Sequence, residues 1–171
     1  MTTESHPRFK WAREIIRANP RDHILEIGCG AGLLVEELVQ DLKTGKVTAI
    51  DRSASMIDKA IRRNANSIST GRAEFSEVDW KDFKAGKIRY DKIVFFNINF
   101  FWTNKSVSRE VSRIRSLLSK NGKVYIFYGP MFNGGFEKIV KVIVPGLAAE
   151  QLPVKHTIHN QELSCCCFVT G

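Results

Sequence analysis

In "ILEIGCGAGLL", Glu26, Gly28, Gly30 and Gly32 stand at every second position. Glycine has no Cβ, so the backbone there either makes a tight turn or lets its N–H groups come close to a ligand. The spacing separates the candidate ligands. A dinucleotide fingerprint, G-x-G-x-x-G, needs its third glycine at position 33, where Leu33 stands; the glycine comes one place early, at Gly32. No GK[ST] follows, which removes the phosphate-binding P-loop. Glu26 lies inside an apolar run, and a buried carboxylate is unfavourable unless donors or a cation meet it. Two more acids, Asp51 and Asp79, each close a strand-like segment.

These residues need elements to position them. "HILEI" reads as a buried strand, followed by the glycines and a helix over 31–42. "GKVTAID" is a second strand; Ser53 then stands as N-cap of a helix carrying Met56, Ile57, Ala60 and Ile61. "AEFSEVD" and "YDKIVFFNIN" are strands three and four. A helix with Val107, Val111, Ile114 and Leu118 inward leads through a turn to strand five, "NGKVYIFYG". "FEKIVKVIV" is helical, with a break expected near Pro145 and Gly146. "VKHTIHN" and "LSCCCFVT" close the chain as an antiparallel pair. Before the first strand, the helix after Pro7 turns Trp11, Ile15 and Ala18 inward and stops at Pro20. Alternating strands and helices argue an α/β sandwich, with the loops after the strand C-termini gathered on one ligand-binding edge.

"ILEIGCGAG" resembles the first motif of the class I S-adenosylmethionine-dependent methyltransferases. The likeness continues through "AIDRSASMIDKA", "FSEVDW", "YDKIVFFNINFFW" and "LLSKNGKVYI", in the family's order. It implies one domain over residues 1–171, an N-terminal helix region at 1–20 and a Rossmann-like core at 21–171. The implied fold is a three-layer αβα sandwich with a seven-stranded, mostly parallel sheet and an antiparallel last strand. The implied cofactor is S-adenosyl-L-methionine, with S-adenosyl-L-homocysteine as product. Asp51 is then placed to accept the two ribose hydroxyls. Arg52 and Met56 lie near adenine, although Met56 fits helix core as well. Asp79 accepts the adenine amino group, and Trp80 beside it is either a stacking contact or ordinary surface packing. Glu26 faces the ammonium of the methionine part, and Gly28, Cys29, Gly30 and Leu33 surround that part. Gly32 lets the next helix pack on the sheet, and Asn97 contacts the methionine end. Phe9 and Trp11 either close over the cofactor or pack the core.

The implied reaction is in-line displacement at the sulfonium methyl, which needs positioning and desolvation more than a catalytic dyad. No dyad is evident. His156 and His159 belong to the sixth strand, His23 begins the first strand on the wrong edge, and His6 is near the terminus. Acceptor contacts are expected from Asn99, Phe100, Phe101, Trp102 and Tyr128, with Met131 and Phe132 near them. The fourth region has no prolines, against the D/N-P-P-aromatic pattern of amino-directed methylation. A small-molecule acceptor is therefore the leading expectation. The alternatives are an RNA- or protein-directed enzyme, for which the net charge of +8 speaks, and a non-catalytic cofactor-binding module. The basic residues are scattered, as on a solvated surface. No apolar run reaches membrane-span length, and no metal-ligand spacing occurs. Cys29 and the consecutive Cys165, Cys166 and Cys167 form no disulfide framework, which suits a reducing cytoplasm. Oligomeric state is not encoded in any motif.

Overall fold

"HILEI" buries four of its five residues, so both faces of its strand must be covered. This strand, β1 (His23–Ile27), lies inside the sheet, parallel to β2 (Lys46–Asp51) on one side and β4 (Tyr90–Phe96) on the other. β3 (Ala73–Glu77) extends the sheet beyond β2, and β5 (Leu118–Tyr128) extends it beyond β4, both in parallel. β7 (Cys165–Thr170) pairs antiparallel with β5, and β6 (Val154–Asn160) pairs antiparallel with β7. The order β3-β2-β1-β4-β5-β7-β6 is the seven-stranded, mostly parallel sheet that the resemblance implied. The computed structural model describes residues 6–98, 108–129 and 136–171.

Strand alternation divides the core in two. Ile24, Val47, Ala49, Val94, Phe96 and Phe127 face one layer, formed by α1 (Pro7–Ile16), α2 (Leu33–Leu38) and α3 (Ala54–Arg63). Leu25, Ile27, Ile50, Ile93, Phe95 and Ile126 face the other, under α5 (Ser108–Leu117) and α6 (Phe136–Ala149). A short helix, α4 (Ala65–Ser69), follows α3. Cys166 and Cys167 fall on opposite faces, and the four thiols are buried and free.

Several boundaries differ from expectation. α1 buries Phe9, Ala12 and Ile16, with Trp11, Ile15 and Ala18 on the flank of that face. It ends at Ile16, where Arg17 turns left-handed at φ 46°. α2 stops at Leu38 because the next residues tighten into three-residue turns, Gln40 N–H to Glu37 and Asp41 N–H to Leu38. α6 continues through Pro145, held by burial of Ile143 and Leu147 on either side. β5 starts early because Leu118 pairs with Tyr90 before a register shift.

Two contacts fix the direction of α1 across the sheet. Phe9 packs against Phe96 at the end of β4, with ring centroids 5.0 Å apart. The Ile16 carbonyl accepts the Tyr125 hydroxyl at 3.4 Å, deeper along β5. α1 therefore starts at the edge where the parallel strands end.

Candidate functional site

The strand order reverses at β1, so the crevice at its C-terminal end, between β1 and β4, is where an open α/β sheet takes a ligand. The glycine segment lies there. Gly28 and Cys29 N–H both donate to the Ile50 carbonyl, at 2.8 and 3.0 Å, and Gly30 N–H donates to Asp51 Oδ2 at 2.9 Å. The loop is thus sewn to the end of β2. Its three glycines have φ of 75°, 53° and 71°, a region that a side chain strains.

Each glycine has its own neighbour. A Cβ on Gly28 would meet Ile98 Cδ1 at 2.2 Å, so the space above this residue holds a side chain from the end of β4. A Cβ on Gly30 would meet nothing within 4 Å, which makes Gly30 the open point of the loop. Gly32 was expected to bring its helix onto the sheet. It instead brings α2 onto α3, where a Cβ would lie 2.6 Å from Asn64 Nδ2 and 2.9 Å from Ala60 Cβ. The Asn64 amide donates to the Gly32 carbonyl at 3.1 Å and so locks that contact. Leu33, first residue of α2, packs half-buried against the core.

Glu26 lies below this loop, 2 % exposed, between Ala49 and Val94 on the neighbouring strands. Its Oε2 is buried with no hydrogen-bond partner among the described residues. Burial, and then the charge of Asp51, push its carboxyl up to about 8. A carboxylate left so is a place for a cation or a donor-rich group, because such a group removes the desolvation penalty. Burial also pushes the Cys29 thiol up, which makes it an inert wall. Asp51 is already a clasp: Oδ2 takes Gly30 N–H, and Oδ1 takes Ser53 N–H at 2.9 Å. A carboxylate has roughly four acceptor sites, so two remain for ligand hydroxyls. Ser53 does stand at the N-cap of α3, but its hydroxyl meets Ser55 Oγ at 3.2 Å and caps nothing.

Beyond Asp51, Arg52 is exposed, and Met56 is 37 % exposed, which excludes helix core for it. Asp79 is half-buried, and its Oδ1 accepts Lys81 N–H at 3.0 Å in a turn that sets Trp80 beside it. Arg113 of α5 is a residue the motifs did not reveal. Its guanidinium carbon stands 4.0 Å from the Trp80 ring centroid, and its nitrogens donate to the carbonyls of Trp80 and Phe83. Trp80 is therefore braced on one side by a cation and by Phe83, with ring centroids 6.5 Å apart. No local motif signals a contact spanning 33 residues.

Asn97 turns left-handed at φ 56° as β4 ends, and its Oδ1 accepts Gly129 N–H at 2.8 Å. It ties the ends of β4 and β5 together, with its backbone at the crevice. Tyr128, expected among the acceptor contacts, is 2 % exposed, and its hydroxyl donates to the Ile98 carbonyl at 3.1 Å. It supports the loop from behind and does not line the opening. Phe9 and Trp11 are both core-facing; Trp11 sets its ring edge-on to Phe127 at 5.7 Å. Asn99, Phe100, Phe101, Trp102, Met131 and Phe132 lie outside the described residues. His156 and His159 are in β6, His23 begins β1, and His6 precedes α1 at the ligand edge.

A family model described as a methyltransferase domain matches residues 24–122, from β1 into β5. Among curated relatives, the malonyl-[acyl-carrier protein] O-methyltransferase of Bacillus cytotoxicus is 29% identical over 117 residues, 68% of this chain and 38% of that protein. The protein of that name from Halalkalibacterium halodurans is 32% identical over 111 residues, 63% of this chain and 39% of its own. The chain thus spans well under half the length of these relatives. A solved S-adenosylmethionine-dependent methyltransferase from Aquifex aeolicus shares the fold with a TM-score of 0.73 at 14% identity, covering 97% of this chain and 93% of its own. Magnesium protoporphyrin IX methyltransferase from Synechocystis follows the same fold at TM-score 0.68 and 16% identity, over 95% of this chain and 76% of its own. With the glycine loop, the clasped Asp51 and the strand order, the match over more than half of its length shows that this chain belongs to the class I S-adenosylmethionine-dependent methyltransferase family.

Proposed function

We propose that this chain transfers a methyl group from S-adenosylmethionine to a small-molecule acceptor at the C-terminal edge of its sheet. The observation that carries the reading is the unpartnered Glu26 Oε2 beneath a loop whose Gly30 opens to free space. The cofactor, when bound, would supply a methyl on positively charged sulfur; the acceptor would bond to that carbon as the carbon–sulfur bond breaks, with S-adenosylhomocysteine as the leaving group. Everything else is done by the chain. Glu26 meets the ammonium of the amino-acid end and becomes ionised by it. Gly30 gives the backbone close approach there, with Cys29 and Leu33 as apolar walls. Asp51 accepts the ribose hydroxyls with its remaining lone pairs. Met56 covers adenine, Asp79 receives its amino group and Trp80, held by Arg113, gives it an edge. Asn97 contacts the methionine end, and Asn99, Phe100, Phe101 and Trp102 are the candidates for acceptor contacts. Residues 1–171 act as one domain.

Calorimetry with S-adenosylmethionine and S-adenosylhomocysteine tests the reading. Wild type binds both, and Asp51→Ala loses about a hundredfold in affinity, the effect of two charge-assisted hydrogen bonds. Absence of binding at millimolar ligand overturns it. Labelled methyl transfer into a metabolite panel then finds the acceptor, and binding without any transfer marks a non-catalytic module instead. The names of the curated relatives direct the panel first to oxygen acceptors on acyl groups.

The net charge of +8 favours a second reading, an RNA or protein acceptor. The scatter of the basic residues along the chain, with no single run, weakens it. Among the described residues no helix is long and apolar enough to cross a membrane. The four free thiols favour a reducing cytoplasm.

A further inference from the structure

Ile98 stands two residues past the end of β4, after the left-handed turn at Asn97. It is half-buried: it packs on the second core layer, and its Cδ1 and Cγ1 take the space that a Cβ on Gly28 would need. Both sides of this contact are fixed. Gly28 N–H donates to the Ile50 carbonyl at 2.8 Å. On the other side, three hydrogen bonds tie the turn to the end of β5. Asn97 N–H donates to the Phe127 carbonyl at 2.9 Å, and Gly129 N–H to Asn97 Oδ1 at 2.8 Å. The Tyr128 hydroxyl donates to the Ile98 carbonyl itself, at 3.1 Å. Isoleucine is also stiff at χ1, because it branches at Cβ. A rigid apolar side chain therefore closes the crevice between β1 and β4 from the β4 side.

Strand order sets what Ile98 faces. The sheet runs β3-β2-β1-β4, and the three acids follow it: Asp79 after β3, Asp51 closing β2 and Glu26 within β1. A sulfonium carries three groups, which here are the ribose carbon, the amino-acid chain and the methyl. On the methyltransferase reading, Asp51 and Glu26 hold the first two on the β2 and β1 side. The third is left the β4 side, where Ile98 meets the glycine loop. We infer that Ile98 is a specificity-determining wall that admits a methyl on the sulfur and rejects longer alkyl groups. One more methylene against a side chain that cannot recede overpacks the site. The inference rests on the methyltransferase reading and adds the residue that sets the size of the transferred group.

Calorimetry compares wild type, Ile98→Val, Ile98→Ala and Tyr128→Phe with three ligands. These are S-adenosylmethionine, S-adenosylethionine, which has ethyl in place of methyl, and S-adenosylhomocysteine, which has neither and reports on the rest of the site. Wild type is expected to bind the methyl compound about tenfold more tightly than the ethyl one. Ile98→Ala brings the two to about equal affinity, and Ile98→Val narrows the gap by about threefold. Tyr128→Phe keeps the ring, frees the Ile98 carbonyl and narrows the gap by about twofold. If Ile98→Ala and Ile98→Val weaken all three ligands equally and leave the gap intact, Ile98 only packs, and the inference is wrong while the function survives. A wild type that binds methyl and ethyl compounds alike also overturns it. A wild type that binds none of the three overturns both readings. Thermal unfolding checks the fold of each variant, and Ile98→Val carries the comparison should Ile98→Ala not fold.

Discussion

At the edge where the strands begin, polar groups find partners within the chain. Lys92 and Asp22, both nearly buried, meet at 3.1 Å. Asp91 takes His23 N–H at 2.9 Å and the Ser119 hydroxyl at 2.8 Å. The Pro20 carbonyl collects the N–H groups of Lys43, Thr44 and Gly45. At the edge where the strands end, Glu26 keeps a buried oxygen without a partner, Arg8 a buried Nε, and Gly30 open space. The residue types are alike. One edge is closed by its own pairs, and the other is left incomplete so that a ligand completes it. An unsatisfied buried polar group lowers stability, so Glu26 Oε2 beneath the open space at Gly30 points to function, whereas Asn64 Oδ1, the orphan between α2 and α3, sits in a packing contact.

Breaking a pair on the closed edge has the largest expected effect. Lys92→Met leaves Asp22 with Asn19 but without its counter-charge and lowers stability by about 3 kcal/mol in urea unfolding, with S-adenosylhomocysteine affinity unchanged. The reverse pattern, weak binding with intact stability, would erase the distinction between the edges.

Glu26 predicts a pH signature. Its carboxyl ionises near 4.5 when unfolded and near 8 when folded. Between those values the folded chain holds the extra proton. The contribution of Glu26 to stability is therefore fullest at acid pH, declines by a few kcal/mol as pH rises toward 8, and levels above it. Glu26→Gln removes that slope while weakening S-adenosylhomocysteine binding. Binding to wild type at pH 7 also releases a proton, read by calorimetry in buffers of different ionisation heat. A slope that survives in Glu26→Gln assigns it elsewhere.

The glycines sharpen the contrast further. Gly32→Ala meets Asn64 and Ala60 and is expected to destabilise by about 2–3 kcal/mol. Gly30→Ala strains only the backbone, by about 1 kcal/mol, and acts chiefly on cofactor affinity. Equal stability losses in thermal unfolding would show that Gly30 is packed and not open. The smallest effect is that of Arg113→Met, about 1 kcal/mol in stability with a few-fold loss of adenosine affinity by calorimetry.

Much of the fold and part of the site were legible in residue order. Apolar runs such as "HILEI" state that a strand is covered on both faces, and the displaced third glycine excludes a dinucleotide loop. Glu26 inside the run already demands a partner. These are local signals, carried by period and side-chain chemistry over a few residues. Element ends were less legible, because α6 passes Pro145 on the strength of burial that propensity does not contain.

Tertiary structure decided how the three glycines divide their work. Ile98 fills the space over Gly28, Asn64 and Ala60 press on Gly32, and only Gly30 remains open. It also moved Tyr128 behind the rim, set Arg113 against Trp80 and laid Arg8 over Phe96. Such contacts join residues tens of positions apart. A linear pattern states that a glycine or a charge is present; which neighbour it meets depends on how the layers close, and that is a property of the packed chain alone.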